Sequence, residues 1–213
     1  MNDFTLWDIV RNLAYGGMLT IALSLAAFVL GGSAGLLVLF ARVGRWPWAQ
    51  RLAKVYIELF QGTPLLMQLF MVFFGLSLAG SDIPAWLAAV LTLTVYTSAY
   101  LAEIWRGCVE AVPKGQWEAS ASLAMSWYEQ MRYVVLPQAL RLAVAPTVGF
   151  SVQVVKGTAV TSIIGFAELA KTGSTLANAT FQPFLVYGLV AVGYFLLCYP
   201  LSRYARRLER TLK

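Results

Sequence analysis

The chain has little charge and no histidine. Only 12% of its 213 residues are Asp, Glu, Lys or Arg, against 59% hydrophobic. Soluble domains average about 25% charged and about 45–50% apolar, so this chain has too little charge to cover a water-facing surface. The mean hydropathy of +0.68 agrees. The absence of histidine removes His-based catalytic triads and most zinc sites. Two cysteines, Cys108 and Cys198, allow at most one bridge, and a disulfide framework is not expected. No GxxxxGK[ST] loop is present, so the chain carries no P-loop ATPase of its own. The first residues, MNDFTLWDIV, have no basic start before an apolar core, and no signal peptide is expected.

What is abundant is long apolar runs. About 20 mostly apolar residues cross the hydrocarbon core as a helix. Five such runs occur, at about Gly17–Ala41, Val55–Leu78, Pro84–Ile104, Leu142–Phe166 and Pro183–Leu201. Backbone polar groups in lipid must be satisfied internally, so the expected fold class is an all-α membrane protein with five transmembrane helices. Gly31, Gly32 and Gly35 in the first run give a second helix room for close approach.

The net charge is +6. The basic residues sit between apolar blocks rather than in an aromatic-interleaved stripe, which argues against nucleic acid as a partner. Arg42, Arg45, Arg51 and Lys54 follow the first run. Arg106, Lys114, Arg132 and Arg141 lie between the third and fourth. Arg203, Arg206, Arg207, Arg210 and Lys213 follow the fifth. Five crossings put all three groups on one face, with Arg11 and Lys171 opposite. The positive-inside rule then places the N-terminus outside and the C-terminus inside. The C-terminal arginines are expected at anionic headgroups, with an ATPase contact as the lesser reading.

The longest connection on the basic face runs from about 106 to 141. Pro113 and Gly115 break the chain, and from Trp117 the residues suit a helix that Pro137 stops or kinks. Leu123, Trp127 and Met131 form an apolar stripe. Such a helix either lies on the membrane surface or docks a cytoplasmic partner.

Several separated segments resemble one family. Glu118-Ala119, with Leu136-Pro137 downstream, resembles the EAA loop of permease subunits of bacterial ABC importers. Tyr56-Ile57-Glu58-Leu59-Phe60-Gln61-Gly62-Thr63-Pro64, Ala102-Glu103-Ile104-Trp105-Arg106-Gly107, Ile164-Gly165-Phe166-Ala167-Glu168-Leu169 and the stretch from Tyr199-Pro200 to Leu208-Glu209 are similar to the polar amino acid group of histidine, glutamine, arginine and opine permeases. The resemblance spans about Tyr15 to Glu209. The chain departs from the pattern at Gln61 (often Arg), Ala124 (usually Gly), Gly149 (often Asn) and Gly157 (often Asp).

The resemblance implies a single permease domain over 1–213, with the type I ABC importer transmembrane fold, in a bacterial inner membrane. It implies a second permease subunit, as a homodimer or heterodimer, two ATPase subunits that bind ATP and Mg, and a periplasmic amino acid binding protein. The chain itself would hold no cofactor and catalyse nothing. The loop would be a coupling helix seated in the ATPase, using Gln116, Glu118, Ala119, Ser122, Ala124 and Met125. A secondary amino acid transporter or a channel subunit is the alternative.

Polar residues inside the runs point to the substrate path. An ionisable side chain in a span costs about 2.5–3.5 kcal/mol on insertion scales and usually faces a cavity or a partner. Lys156, with Gln153 on its helical face and Thr158 nearby, either binds an amino acid carboxylate or pairs with Glu58 or Glu103. Glu58 precedes the Gly62-Thr63-Pro64 break, where proline disfavours helix. It meets a substrate ammonium, with Gln61, Gly62 and Thr63 as polar contacts, or it snorkels beside a structural kink. Glu168, just past the fourth run, is expected to be a solvated carboxylate or part of an outer gate.

Overall fold

The computed structural model describes residues 5–211. Lys213 of the C-terminal basic group and the first four residues of the N-terminal segment lie outside them. Among the described residues nine α-helices follow one another: α1 (Leu6–Val43), α2 (Pro47–Gln61), α3 (Leu65–Leu78), α4 (Ala85–Glu110), α5 (Lys114–Ser122), α6 (Trp127–Glu129), α7 (Leu136–Gly157), α8 (Leu169–Thr180) and α9 (Pro183–Thr211). A π-helical stretch, Gln130–Val135, joins α6 to α7, and a 3-10 stretch, Thr158–Ile164, follows α7. No strand occurs among the described residues.

Among the described residues four continuous helices are long and apolar enough to cross a membrane: α1, α4, the run from Trp127 to Ile164, and α9. The second apolar run is not straight. Its two halves, α2 and α3, meet at a bend of 100°. Large apolar side chains such as Val29, Leu37, Met71 and Phe184 point outward, as expected where lipid is the solvent.

α1 and α4 form the central pair. A Cβ on Gly31 would fall 2.6 Å from Cβ of Thr97, and one on Gly35 would fall 3.0 Å from the Ser98 carbonyl oxygen. The two glycines therefore permit backbone-close contact, as their spacing predicts. Tyr96 and Tyr100 of α4 stack with Phe150 of α7, with centroids 6.2 and 5.4 Å from its ring. This clamp fixes α7 against the central pair.

The connection after α4 differs from the single helix expected between Trp117 and Pro137. α5 ends at Ser122, and Ala124 turns the chain with φ of +55°. Helix resumes only after Ser126, whose hydroxyl accepts from Glu129 N–H while its own N–H donates to the Glu129 carboxylate. This capping box, Ser126-x-x-Glu129, is a strong start signal. Pro137 does not stop the chain. It lies at the start of α7, just after the π turn, where widened hydrogen-bond spacing accommodates a missing N–H. Leu123 and Met131 are thus on different helices. Leu123 is exposed, whereas Met131 joins Val109, Val112 and Val135 in a buried cluster.

The alanine at 124 has a measurable consequence. A left-handed conformation costs an L-residue about 1–2 kcal/mol that glycine does not pay. Ala124→Gly is expected to raise the thermal stability of the purified protein by about 1 kcal/mol. A lower melting temperature for this variant would show that the turn is not as described.

Candidate functional site

Three regions carry the polar chemistry. The first is α5. It starts after Pro113 and stands on the buried cluster through Val112 and a partly buried Trp117. Ser120 is its one buried residue, with Oγ donating to the Trp117 carbonyl at 2.9 Å. Gln116, Glu118, Ala119, Ser122 and Ala124 are exposed, and Met125 is half-buried. The Met125 carbonyl accepts from Gln130 Nε2 at 2.8 Å, and Gln138 Nε2 donates to Gln116 Oε1 at 3.4 Å. A rigid base therefore presents a short helix whose outer face has no intramolecular partner helix.

The second region is the break between α2 and α3. Gly62 caps α2, its N–H donating to the Glu58 carbonyl. Thr63 is exposed and donates to the Leu59 carbonyl at 2.8 Å. Gln61 is half-buried, its amide donating to the Ala99 carbonyl at 3.3 Å. Glu58 is exposed and lies 3.6 Å from Lys54. It pairs with neither Lys156 nor a buried group.

A residue outside the expected set holds this break. Gln68 of α3 is 7% exposed, and its Nε2 donates to the Phe60 carbonyl at 2.8 Å, the Thr63 carbonyl at 3.1 Å and the Thr63 hydroxyl at 3.0 Å. The Phe60 carbonyl, which Pro64 leaves without an α-helical donor, finds one here, as does the Thr63 carbonyl at the break. The signal was a lone polar residue four positions after a proline in an otherwise apolar run. Gln68→Leu keeps the volume but orphans these acceptors, at a cost of about 1–3 kcal/mol. Unchanged thermal stability of this variant would remove Gln68 from that role.

The third region is a groove of about 640 Å³ between α7 and the C-terminal half of α9. Gly149, Gln153 and Lys156 line it from α7, and Ser202, Arg206 and Glu209 from α9. Gln153 and Lys156 are exposed on this face, as their spacing predicts. Lys156 makes no ion pair among the described residues. Glu103, its other suggested partner, is taken by Arg106 through two bonds of 2.9 and 2.6 Å. Arg106 also pairs with Glu110. Thr158 is not on the groove face. It is fully buried, donating to the Val155 carbonyl at 2.8 Å.

α7 meets the segment after the break at Gly157, which does not line the groove. A Cβ on Gly157 would lie 3.2 Å from Leu65 Cδ2, the residue following Pro64, and 3.4 Å from Leu93 Cδ2.

Glu168 is neither solvated nor on a surface. Its exposure is 0%. Tyr194 of α9 donates to Oε2 at 2.5 Å, and Thr20 of α1 donates to the same oxygen at 3.4 Å. Lys171 N–H donates to Oε1 at 2.8 Å, so Glu168 is the N-cap of α8. Thr20 Oγ1 in turn accepts from Leu169 N–H at 3.1 Å. One side chain thus ties three helices. The sequence expectation failed because adjacency to a turn does not show which elements fold over it.

The family model for the "binding-protein-dependent transport system inner membrane component" matches residues 31–213. The glutamine transport system permease protein GlnP of Escherichia coli (strain K12) is 36% identical over 211 residues, covering 98% of this chain and 96% of that protein. The L-cystine transport system permease protein TcyB of Bacillus subtilis (strain 168) is 31% identical over 212 residues, covering 97% and 91%. A crystal structure of an amino acid ABC transporter with histidines superposes with a TM-score of 0.90 at 33% identity, covering 94% of each chain.

Proposed function

The chain belongs to the family of binding-protein-dependent transport system inner membrane components, and from that premise we propose that it is the permease subunit of an ABC importer for polar amino acids. It is a multi-pass protein of the inner membrane. The single observation that carries the mechanism is α5, a rigidly based helix that leaves Glu118, Ala119 and Ser122 exposed.

Basic residues set the orientation. The groups after α1 and after α4 share a face only if an even number of crossings separates them. The bent pair of α2 and α3 therefore counts as one crossing with α4 as the next, giving five in all. α3 alone has 14 residues, about 21 Å of helix at 1.5 Å per residue. That is short of the roughly 30 Å hydrocarbon core, so α2 completes the crossing obliquely. The N-terminus is then periplasmic, and α5 and the C-terminus are cytoplasmic.

Within this reading the fold is that of a type I ABC importer, and the chain is one permease domain with a coupling loop over 106–141. Two ATPase subunits, holding ATP and Mg, engage α5. A second permease subunit faces the groove of α7 and α9, so that Gln153 and Lys156 look into a shared path. The break at Gly62 and Thr63, with Glu58 and Gln61 beside it, borders the path near Gly157. A periplasmic binding protein delivers the amino acid, and chemistry stays in the ATPase.

The test is uptake into proteoliposomes holding the assembled complex. Uptake of a polar amino acid is expected to require ATP inside and binding protein outside, and to survive ionophores. Accumulation by the chain alone, driven by an ion gradient, would instead identify a secondary transporter.

A further inference from the structure

A second groove runs along the other side of α7, away from Gln153 and Lys156. It holds about 520 Å³ between α1, α4 and α7, and Leu36, Phe40, Trp105, Leu140, Val144 and Thr147 line it. Thr147 carries the one hydroxyl among its lining residues, and that oxygen accepts from Trp105 Nε1 at 2.8 Å. The two polar groups of the wall are thus engaged with each other, and an apolar occupant strands neither. The second permease subunit is assigned to the opposite face of α7, so this side is left to the bilayer.

Size separates an acyl chain from a helix. Along α7 the groove extends from Leu136 to Val148, about 18 Å at 1.5 Å per residue. That is a little over half of the roughly 30 Å hydrocarbon core, the depth of one leaflet. A helix about 10 Å wide over this length displaces about 1400 Å³, far more than the groove holds. A single acyl chain is narrow enough to lie in it.

Two arginines rim the groove. Arg42 follows the lining residue Leu39 by three positions on α1, and Arg141 precedes Val144 and Val148 by three and seven on α7. Both spacings keep the arginine on the face of the lining residues. Arg141 is exposed and Arg42 half-buried, and neither makes an ion pair among the described residues. Glu103, on which Arg42 acts electrostatically, is already held by Arg106.

We infer that this groove is a lipid site: it seats one acyl chain of an anionic phospholipid, whose phosphate meets Arg42 and Arg141. The guanidinium groups donate charge-assisted bonds to the phosphate oxygens, and their alkyl stems lie along the chain. Val109 and Ala139 line the groove and also belong to the apolar cluster beneath α5. The lipid therefore packs against the base of α5. Its place in the cytoplasmic leaflet rests on the orientation proposed above; binding itself does not.

The experiment is native mass spectrometry of the purified, delipidated full chain in detergent, titrated with dioleoyl phosphatidylglycerol or dioleoyl phosphatidylcholine. One phosphatidylglycerol is expected to bind about 25-fold more tightly than phosphatidylcholine, since each arginine facing an anionic headgroup is worth about fivefold. The double variant Arg42→Gln/Arg141→Gln is expected to bring the two lipids to equal affinity. Val144→Trp fills the groove from an exposed position and leaves both arginines in place. It is expected to weaken phosphatidylglycerol about tenfold, which two displaced methylene groups suffice to produce. Equal affinity for both lipids in the wild type would overturn the site. So would a preference that survives the double arginine variant, or binding that Val144→Trp leaves unchanged, because the lipid would then sit elsewhere. A lipid-free dimer that Val144→Trp dissociates would give the groove to a second copy and overturn it too. None of these results bears on the ATP dependence of uptake, so failure of the lipid site and failure of the transport reading are told apart.

Discussion

Glu168→Ala lowers the melting temperature of the purified protein more than any other single substitution considered for this chain. The carboxyl group is fully buried and accepts from the Tyr194 hydroxyl and the Lys171 N–H at 2.5 and 2.8 Å. Truncation leaves both donors buried without an acceptor, and each orphan costs about 1–3 kcal/mol. The second of these bonds is the N-cap bond of α8. A chain of this size loses roughly 2–4 °C per kcal/mol, so the fall is on the order of 10 °C. Glu168→Gln keeps one carbonyl acceptor and is expected to lose about half as much. Tyr194→Phe removes a donor but leaves Lys171 N–H satisfied, and should fall between wild type and Glu168→Ala. Equal melting temperatures for wild type and Glu168→Ala would mean that the carboxyl group does not join α1, α8 and α9.

Glu118→Lys has the other large effect, and it appears in coupling rather than in stability. Glu118 is exposed on α5 and makes no ion pair among the described residues, so its reversal costs the fold within about 0.5 kcal/mol. Seated in an ATPase cleft, the same reversal places a wrong charge in a desolvated contact. Loss of one partner in such contacts costs about 2–5 kcal/mol, which is about 30- to 4000-fold in affinity. Copurification of the ATPase subunits should fall, and ATP-driven uptake with it, at an unchanged melting temperature. Ala121→Arg tests the same face sterically, since Ala121 is exposed and its neighbour Ser120 anchors the helix. Normal assembly and normal uptake in both variants would exclude α5 as the docking element.

The groove and the two faces tested by these variants differ in what holds them. α5 is presented by the Val109, Val112, Met131 and Val135 cluster beneath it. The groove side chains Gln153 and Lys156 are presented by α7, held to α4 by the Tyr96, Tyr100 and Phe150 stack. Met131 and Val135 of the cluster beneath α5, and the groove residues Gln153 and Lys156, belong to one continuous helical run, Trp127 to Ile164.

Composition and periodicity by themselves determined the membrane class, the apolar runs, room for a close helix contact at Gly31 and Gly35, the break before Pro64, and the shared face of Gln153 and Lys156. Each of these follows from local rules: hydrocarbon solvation, helical repeat, glycine volume and the missing N–H of proline. Ser126-x-x-Glu129 was equally local and readable, and its capping box explains why the loop is two helices rather than one. Only the tertiary structure decided which polar groups meet. Lys156 has no ion pair among the described residues, Glu58 takes Lys54, Gln68 reaches back over the break, and Thr158 and Glu168 are sealed inside. Hydrogen bonds and ion pairs fall off within a few ångströms, and residues 148 apart in sequence, such as Thr20 and Glu168, come within that range only when helices pack.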